Sequence, residues 1–197
     1  MRTLTDDGWK HVFDTRGNDP GRWFGYAYDL LESSAALLDL WHEWKREFEE
    51  RAAGKPQYTE RLVGFHSAAT MLRGMACECL LKARGLEQGT FRLAQGGEFV
   101  PIKGLGRAQH NLVKLAEIVG FVPDSDEEMR ALRGLSRAIV AGRYPILSSW
   151  DAERRHLADG PPLVVGEGVE WHRAGDSVLS RLFGGFPLPS ARGQLPG

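Results

Sequence analysis

Apolar residues recur at alternating spacings of three and four along two long stretches of the chain, and this pattern predicts two long helices. The first helix is predicted over 22–53 and ends at Gly54-Lys55-Pro56. The second is predicted to end at Gly85, and its apolar positions are Leu62, Phe65, Ala69, Leu72, Ala76, Cys79 and Ala83. Because the connection between the two stretches is short, the sequence predicts an antiparallel helical hairpin.

The apolar period changes after this hairpin and then returns. Residues 90–102 read as two short strands around Gly96-Gly97, which predicts a surface β-hairpin. Further helices are predicted over 110–119 and over 171–183. Between them, another helix is predicted to begin at Ser125, which has capping-box spacing to Glu128, and to end before Pro145.

These elements predict a mainly α fold, an up-and-down helical bundle with a small β-hairpin insertion and an irregular C-terminal extension. The predicted divisions are an irregular N-terminal segment, 1–21, and a helical domain, 22–147. An extension packed on that domain, 148–183, and a disordered tail, 184–197, complete the chain.

Composition sets limits on function. With 42% apolar and 26% charged residues the chain is typical of globular proteins, and its net charge of -1 predicts no general affinity for nucleic acid. Any such binding has to come from a local basic patch. The sequence shows neither an apolar run of about 20 residues nor a hydrophobic leader, so it predicts a cytoplasmic protein without a membrane span.

The cysteines and the common motifs offer no cofactor site. Cys77 and Cys79 lie two apart on a helix and cannot bridge each other, so we interpret them as buried thiols and expect no metal. Gly104 and Gly106 form only part of a dinucleotide fingerprint, and His42-Glu43 lacks the second histidine of a zinc-protease motif. The sequence therefore predicts no cofactor.

Two polar patterns could carry a ligand. His66, Thr70, Arg73 and Cys77 share one strip of the second long helix, where a histidine, a hydroxyl and an arginine could hold a phosphate. The alternative is a polar seam between helices. Arg143-Tyr144-Pro145 could form part of a site, or could only end a helix, because a cation complements the helix dipole and proline stops the helix.

Three segments, taken in order, resemble the HEPN (higher eukaryotes and prokaryotes nucleotide-binding) family. They are MACECLLKARGL at 75–86, HNLVKL at 110–115 and AGRYP at 141–145, and the resemblance covers roughly 59–147. It implies an all-α bundle, commonly dimeric. Many members are metal-independent RNases of toxin–antitoxin or phage-defence systems, and others are non-catalytic partners of nucleotidyltransferases.

The RNase members carry an arginine followed by a histidine four to six residues later. Arg143 matches that arginine, but Ser148, Ser149 and Trp150 stand where the histidine would fall. An Arg-x4-His pair does occur at Arg61 and His66, on the earlier helix. The candidate catalytic residues are therefore Arg143, His66 and Arg61.

The leading hypothesis is a HEPN-like homodimer of a bacterial stress, defence or toxin–antitoxin setting. It binds RNA, a nucleotide or a partner protein, such as a nucleotidyltransferase, without cleaving RNA. The predicted ligand-binding residues are Arg143, Tyr144, His110, Lys82 and Arg73. The alternatives are a metal-independent RNase that uses His66 or His156, and a pure interaction module that docks through the tryptophan-rich first helix.

Overall fold

The computed structural model describes residues 5–51, 60–105, 110–143 and 169–184. Most of these residues are helical, which confirms the mainly α prediction. The elements are α1 (Asp6–Gly17), α2 (Pro20–Arg51), α3 (Glu60–Glu87), β1 (Ala94–Gln95), β2 (Glu98–Phe99), α4 (Leu112–Ile118), α5 (Asp126–Arg143) and α6 (Val169–Leu182). Among the described helices, none is both long enough and apolar enough to cross a bilayer.

The two long helices α2 and α3 run antiparallel, as the sequence predicts. At one end Lys82 lies over the ring of Trp23, with Nζ 4.9 Å from the ring centroid. Near the middle the Ser34 hydroxyl donates to the carbonyl of Ala69 at 2.9 Å. Residue numbers therefore rise along α2 as they fall along α3, and the shared apolar stripes of the two helices face each other.

Helix α3 is the centre of the bundle, because α2, α4, α5 and α6 all pack against it. Its approach to α5 depends on Gly74, where an added Cβ would lie 2.7 Å from the carbonyl oxygen of Leu135. The fully buried side chains of the core include Leu81, Leu93, Leu112, Leu115, Leu132, Leu135, Ile139 and Leu179. Glycine at position 74 thus lets two backbones approach at the point where the core is densest.

The predicted β-hairpin is present, although each strand has only two residues. Ala94 pairs with Phe99 and Gln95 with Glu98 in antiparallel register. The turn consists of Gly96 and Gly97, whose φ angles are +65° and +83°. Residues with a side chain rarely adopt this left-handed backbone conformation, so the Gly-Gly pair supplies the turn at no steric cost.

The prediction that 1–21 is irregular is wrong, because the segment contains α1. The hydroxyl of Thr5 caps the helix by accepting from the Gly8 N–H at 3.2 Å. Asp6 and Asp7 lie in the first turn and Arg16 in the last, which suits the helix dipole at both ends. Thr5 is thus the capping residue, and Asp6 and Asp7 the dipole residues, of a short helix.

The end of the described chain follows the prediction of a last helix. Helix α6 buries Val178, Leu179 and Phe183 against the bundle, and the ring of Phe183 lies 4.4 Å from that of Phe24 on α2. The extension is thus packed on the helical core where the structure describes it. The predictions for 148–168 and for the tail at 185–197 lie outside the described residues.

Candidate functional site

Two of the predicted site residues, Lys82 and His110, meet on one carboxylate. Lys82 Nζ donates to Glu78 Oε1 at 2.6 Å, one helical turn away on α3. His110 Nδ1 lies 2.9 Å from Glu78 Oε2 and reaches it from the segment before α4. We call these three residues the Glu78 cluster. Its carboxylate is the member that sequence reasoning missed.

The carboxylate of the Glu78 cluster is held ionised. Burial alone would raise the pKa of Glu78, whose side chain is only 7% exposed. The charge and hydrogen bond of Lys82, followed by the contacts of His110, outweigh this effect and hold the pKa below its ordinary value. The cluster therefore carries its own negative charge, which compensates the ammonium of Lys82 before any phosphate arrives.

Arg73 is also paired inside the bundle. Its guanidinium contacts the carboxylate of Asp176 on α6, and its side chain is 11% exposed. Burial lowers the pKa of Arg73 to about 10, so the group stays charged at neutral pH. The pair joins α3 to α6 and favours the polar-seam interpretation of this strip.

His66 lies on the same strip, one turn before Thr70, and it is buried beside Trp41 of α2. The two ring centroids are 5.5 Å apart, and Thr70 donates its hydroxyl to the carbonyl of His66 at 2.8 Å. Burial first, and then the charges of Arg73 and His42, lower the pKa of His66. The imidazole is therefore neutral at physiological pH.

Arg143 is the last residue of α5, at some distance from the Glu78 cluster. Ser136 Oγ accepts from the Leu112 N–H, and Ile139 packs against Gly74 of α3. Arg143 follows Ser136 by about two turns, or roughly 10 Å along the axis. The structure describes the backbone of Arg143 but not its side chain.

Other candidate residues are only partly placed by the structure. The backbone of Arg61 lies in the first turn of α3, and its side chain is not described. Tyr144 and His156 lie outside the described residues. Among the predicted ligand-binding residues whose side chains the structure describes, which are Lys82, His110 and Arg73, it brings together Lys82 and His110.

A second candidate site is lined in part by Trp23. It is a groove of about 560 Å³ between α1, the start of α2 and the β-hairpin. We call it the aromatic groove; its lining residues are Trp9, Lys10, Val12, Phe13, Arg16, Gly17, Arg22, Trp23, Tyr26, Gly97 and Phe99. Large apolar side chains gathered in an open concave surface are typical of binding sites.

The rings of the aromatic groove are unusually exposed. Trp9 is 59%, Tyr26 60% and Phe99 61% exposed. Phe13 contacts Phe99 edge to face, with ring centroids 6.0 Å apart. These aromatic side chains contribute little burial to the core, so their clustering calls for an explanation other than stability.

Three cations line the aromatic groove. Its lining holds Lys10, Arg16 and Arg22 and, among the described residues, no carboxylate. Lys10 and Arg22 each have an acidic neighbour on the rim at 3.7 Å, Asp7 and Asp19 respectively. Such exposed, long ion pairs contribute little, and both cations can reach an incoming anion.

The walls of the groove are held in place by two polar side chains of α1 and its cap. Asp14 accepts from the N–H groups of Gly96 and Gly97 at 2.7 and 2.9 Å. Asn18 accepts from the Leu93 N–H at 2.8 Å and donates to the Ala94 carbonyl at 2.6 Å. These bonds fasten the hairpin to α1, so the groove exists before a ligand binds.

We expect Asp14→Ala to loosen this connection, at a cost of about 1–2 kcal/mol of local stability, because two backbone donors lose a charged acceptor. The measurement is amide hydrogen exchange at Gly96 and Gly97, which should accelerate while exchange in α3 stays unchanged. Asp7→Ala, a change on the same helix far from the hairpin turn, is the control. Equal protection in both variants would contradict the role of Asp14.

Trp23 connects the two candidate sites. Its indole N–H donates to the carbonyl of Gly17 at 2.9 Å, and the ammonium of Lys82 lies over its ring. A ligand in the aromatic groove would therefore contact a ring that also contacts the Glu78 cluster. The groove could have been suspected from Trp9, Val12, Phe13 and Arg16, which recur at helical spacing.

Within the part of the chain that the structure describes, no group of three or more histidine, cysteine or acidic side chains could hold a metal ion. Cys77 is fully buried, as predicted, and Cys79 is half-buried. Burial raises the pKa of the Cys77 thiol. Comparison with protein families, with curated proteins and with solved structures finds no match to this chain.

Proposed function

We propose that this chain is a HEPN-like protein that binds RNA or another phosphate-bearing ligand without cleaving it. One contrast carries the proposal. Lys82 and His110 contact the buried carboxylate of Glu78, and the buried guanidinium of Arg73 contacts Asp176, whereas the cations of the aromatic groove are exposed beside exposed rings. The fold thus offers a ligand an open surface with accessible cations, separate from the ion pairs of the bundle.

The absence of catalysis is supported by the chemistry of the Glu78 cluster. An efficient general base has a pKa near the working pH, and a phosphate-binding site has to present an uncompensated cation. The contacts of Lys82 and His110 hold the pKa of Glu78 below its ordinary value, which makes it a weak base, and its carboxylate offsets the charge of Lys82. The cluster is therefore better suited to holding α3 and the start of α4 together than to driving proton transfer.

The biological setting that we propose follows from the resemblance. A homodimer in a bacterial defence or toxin–antitoxin system, with a nucleotidyltransferase or another neighbouring protein as partner, fits a HEPN-like protein without nuclease activity. Light scattering on the purified protein tests the dimer. A mass equal to one chain of 21.9 kDa at micromolar concentration would contradict it.

We expect purified protein to bind labelled single-stranded RNA and tRNA and to leave both uncleaved, with and without EDTA. Because binding is attributed to exposed cations, the fraction of RNA bound should fall steeply with salt concentration. Arg143→Ala should weaken binding if the end of α5 contributes, and His66→Ala is the control for hidden catalysis. Cleavage that survives EDTA and disappears in either variant would refute the proposal and establish the RNase alternative.

A further inference from the structure

We propose that the aromatic groove is a binding site for single-stranded nucleic acid, whose bases stack on Trp9, Tyr26 and Phe99. Its phosphates would lie against Lys10, Arg16 and Arg22. The inference rests on the proposed function, because it assumes a phosphate-bearing ligand. It goes further by assigning that ligand a chemical class and a site that contains none of the residues predicted from the sequence.

The exposed rings indicate that the ligand contains unpaired bases. Three aromatic side chains are more than half exposed in one concavity, and Phe13 adds a fourth that is 38% exposed. Unpaired bases are planar and can stack on such rings whatever their sequence, whereas bases within a duplex already stack on one another. The groove therefore favours a single strand over a double helix.

The cations indicate that the ligand also contains phosphates. A single strand carries phosphates beside its bases, and the lining holds Lys10, Arg16 and Arg22 together with the rings. An apolar helix of a partner protein would cover the rings but leave these three cations in a less polar environment. An acidic peptide would satisfy the cations but leave the rings exposed. Only a ligand that carries both features matches the whole surface.

The construction of the groove also suits a strand. Helix α1 has no buried residue, so it adds little to the core. It is nevertheless held by Asp14 and Asn18 against the hairpin, and by the Gly17 carbonyl against Trp23. A volume of about 560 Å³ is in the range of small-ligand sites, so the groove takes a short stretch while the strand continues over the surface.

The test is a titration of a fluorescently labelled twelve-nucleotide oligo(U) RNA with the full chain at several salt concentrations. With three phosphate contacts, the logarithm of the binding constant should fall with the logarithm of salt with a slope of about -2. Trp9→Ala and Tyr26→Ala should each weaken binding by about tenfold. Arg16→Gln should weaken it and reduce the magnitude of the slope by about 0.7.

Matched controls separate the groove from the rest of the surface. Trp44→Ala removes a tryptophan that is 37% exposed on the other half of α2, and Arg130→Gln removes an exposed arginine of α5. Both variants should bind like the unchanged protein. Far-ultraviolet circular dichroism confirms that every variant is folded, which is expected because none of the changed side chains is buried.

Each outcome decides between the claims. If the oligonucleotide binds but the groove variants match their controls, the assignment of the groove is refuted, and the chain binds nucleic acid through another surface. If oligo(U), single-stranded DNA, tRNA and ATP all fail to bind, the proposed function itself is refuted. If a twelve-residue polyglutamate or an RNA duplex binds as tightly as the single strand, stacking is refuted and the groove is a surface for acidic partners or polyanions.

Discussion

The Glu78→Ala variant is expected to lose about 3 kcal/mol of its free energy of unfolding, because removing one member of a buried ion pair leaves its partners without their counter-charge. As a whole residue Glu78 is 5% exposed. The side chains of Lys82 and His110 are 13% and 27% exposed. The two bases would have to turn towards water, at the expense of the contact between Lys82 and Trp23. Urea denaturation followed by circular dichroism measures the loss.

The control for this change is Glu117→Ala on α4. Glu117 pairs with Lys114 at 2.7 Å, but both side chains are about half exposed. Exposed pairs contribute at most about 1 kcal/mol, so this variant should remain close to the unchanged protein. Equal losses of unfolding free energy in the two variants would show that burial does not strengthen the contribution of the Glu78 cluster to stability.

The contribution of Glu78 should also depend on pH in a defined direction. Its folded-state pKa lies below the ordinary value of 4.5, so its stabilisation is complete above that pH. The stabilisation is lost as pH falls through the folded-state pKa, where the carboxylate becomes protonated. The stability difference between the unchanged protein and Glu78→Gln should therefore shrink below about pH 4.5, and a constant difference down to pH 2 would contradict the assignment.

The second large effect is expected at Glu128, where replacement by alanine should cost about 2–4 kcal/mol. The carboxylate is buried and accepts from the Asp124 N–H at 2.7 Å, from Ser177 Oγ at 2.7 Å and from Arg181 Nη1 at 2.5 Å. Two of these donors belong to α6. The loss should therefore appear as faster amide exchange in α6 as well as lower global stability.

Glu127→Ala is the matched control for Glu128. The neighbouring carboxylate is exposed and pairs with Arg130 one turn along α5. We expect no measurable change in α6 exchange for this variant. If both variants release α6 equally, the anchoring of the last helix depends on its apolar side chains and not on the carboxylate.

Glu128 also shows how far a local motif predicts structure. The spacing of Ser125 and Glu128 predicts a capping box, and Ser125 Oγ does accept from the Glu128 N–H at 3.2 Å. The carboxylate of Glu128, however, bonds the Asp124 N–H and two side chains of α6. The start of the helix was predictable from neighbours in the chain, but the main role of the glutamate depends on a helix about fifty residues later.

The candidate sites divide in the same way. Lys82 could be placed one turn after Glu78 from the sequence, yet nothing local shows that His110 reaches the same carboxylate. In the aromatic groove, the apolar spacing of α1 resembles that of a helix packed on a core. Only the fold shows that Trp9 and Tyr26 face water. Periodicity reports that a face is apolar, not what covers it.

The sequence by itself determined the described helices of this protein other than α1, and the glycine turn of its hairpin. These features depend on hydrogen bonds and side-chain spacing within a few residues. The tertiary structure decided which cations are paired, which carboxylates are buried and which rings remain exposed. Those properties depend on burial and on contacts between distant segments, and burial sets both the strength of a charge and the availability of a surface.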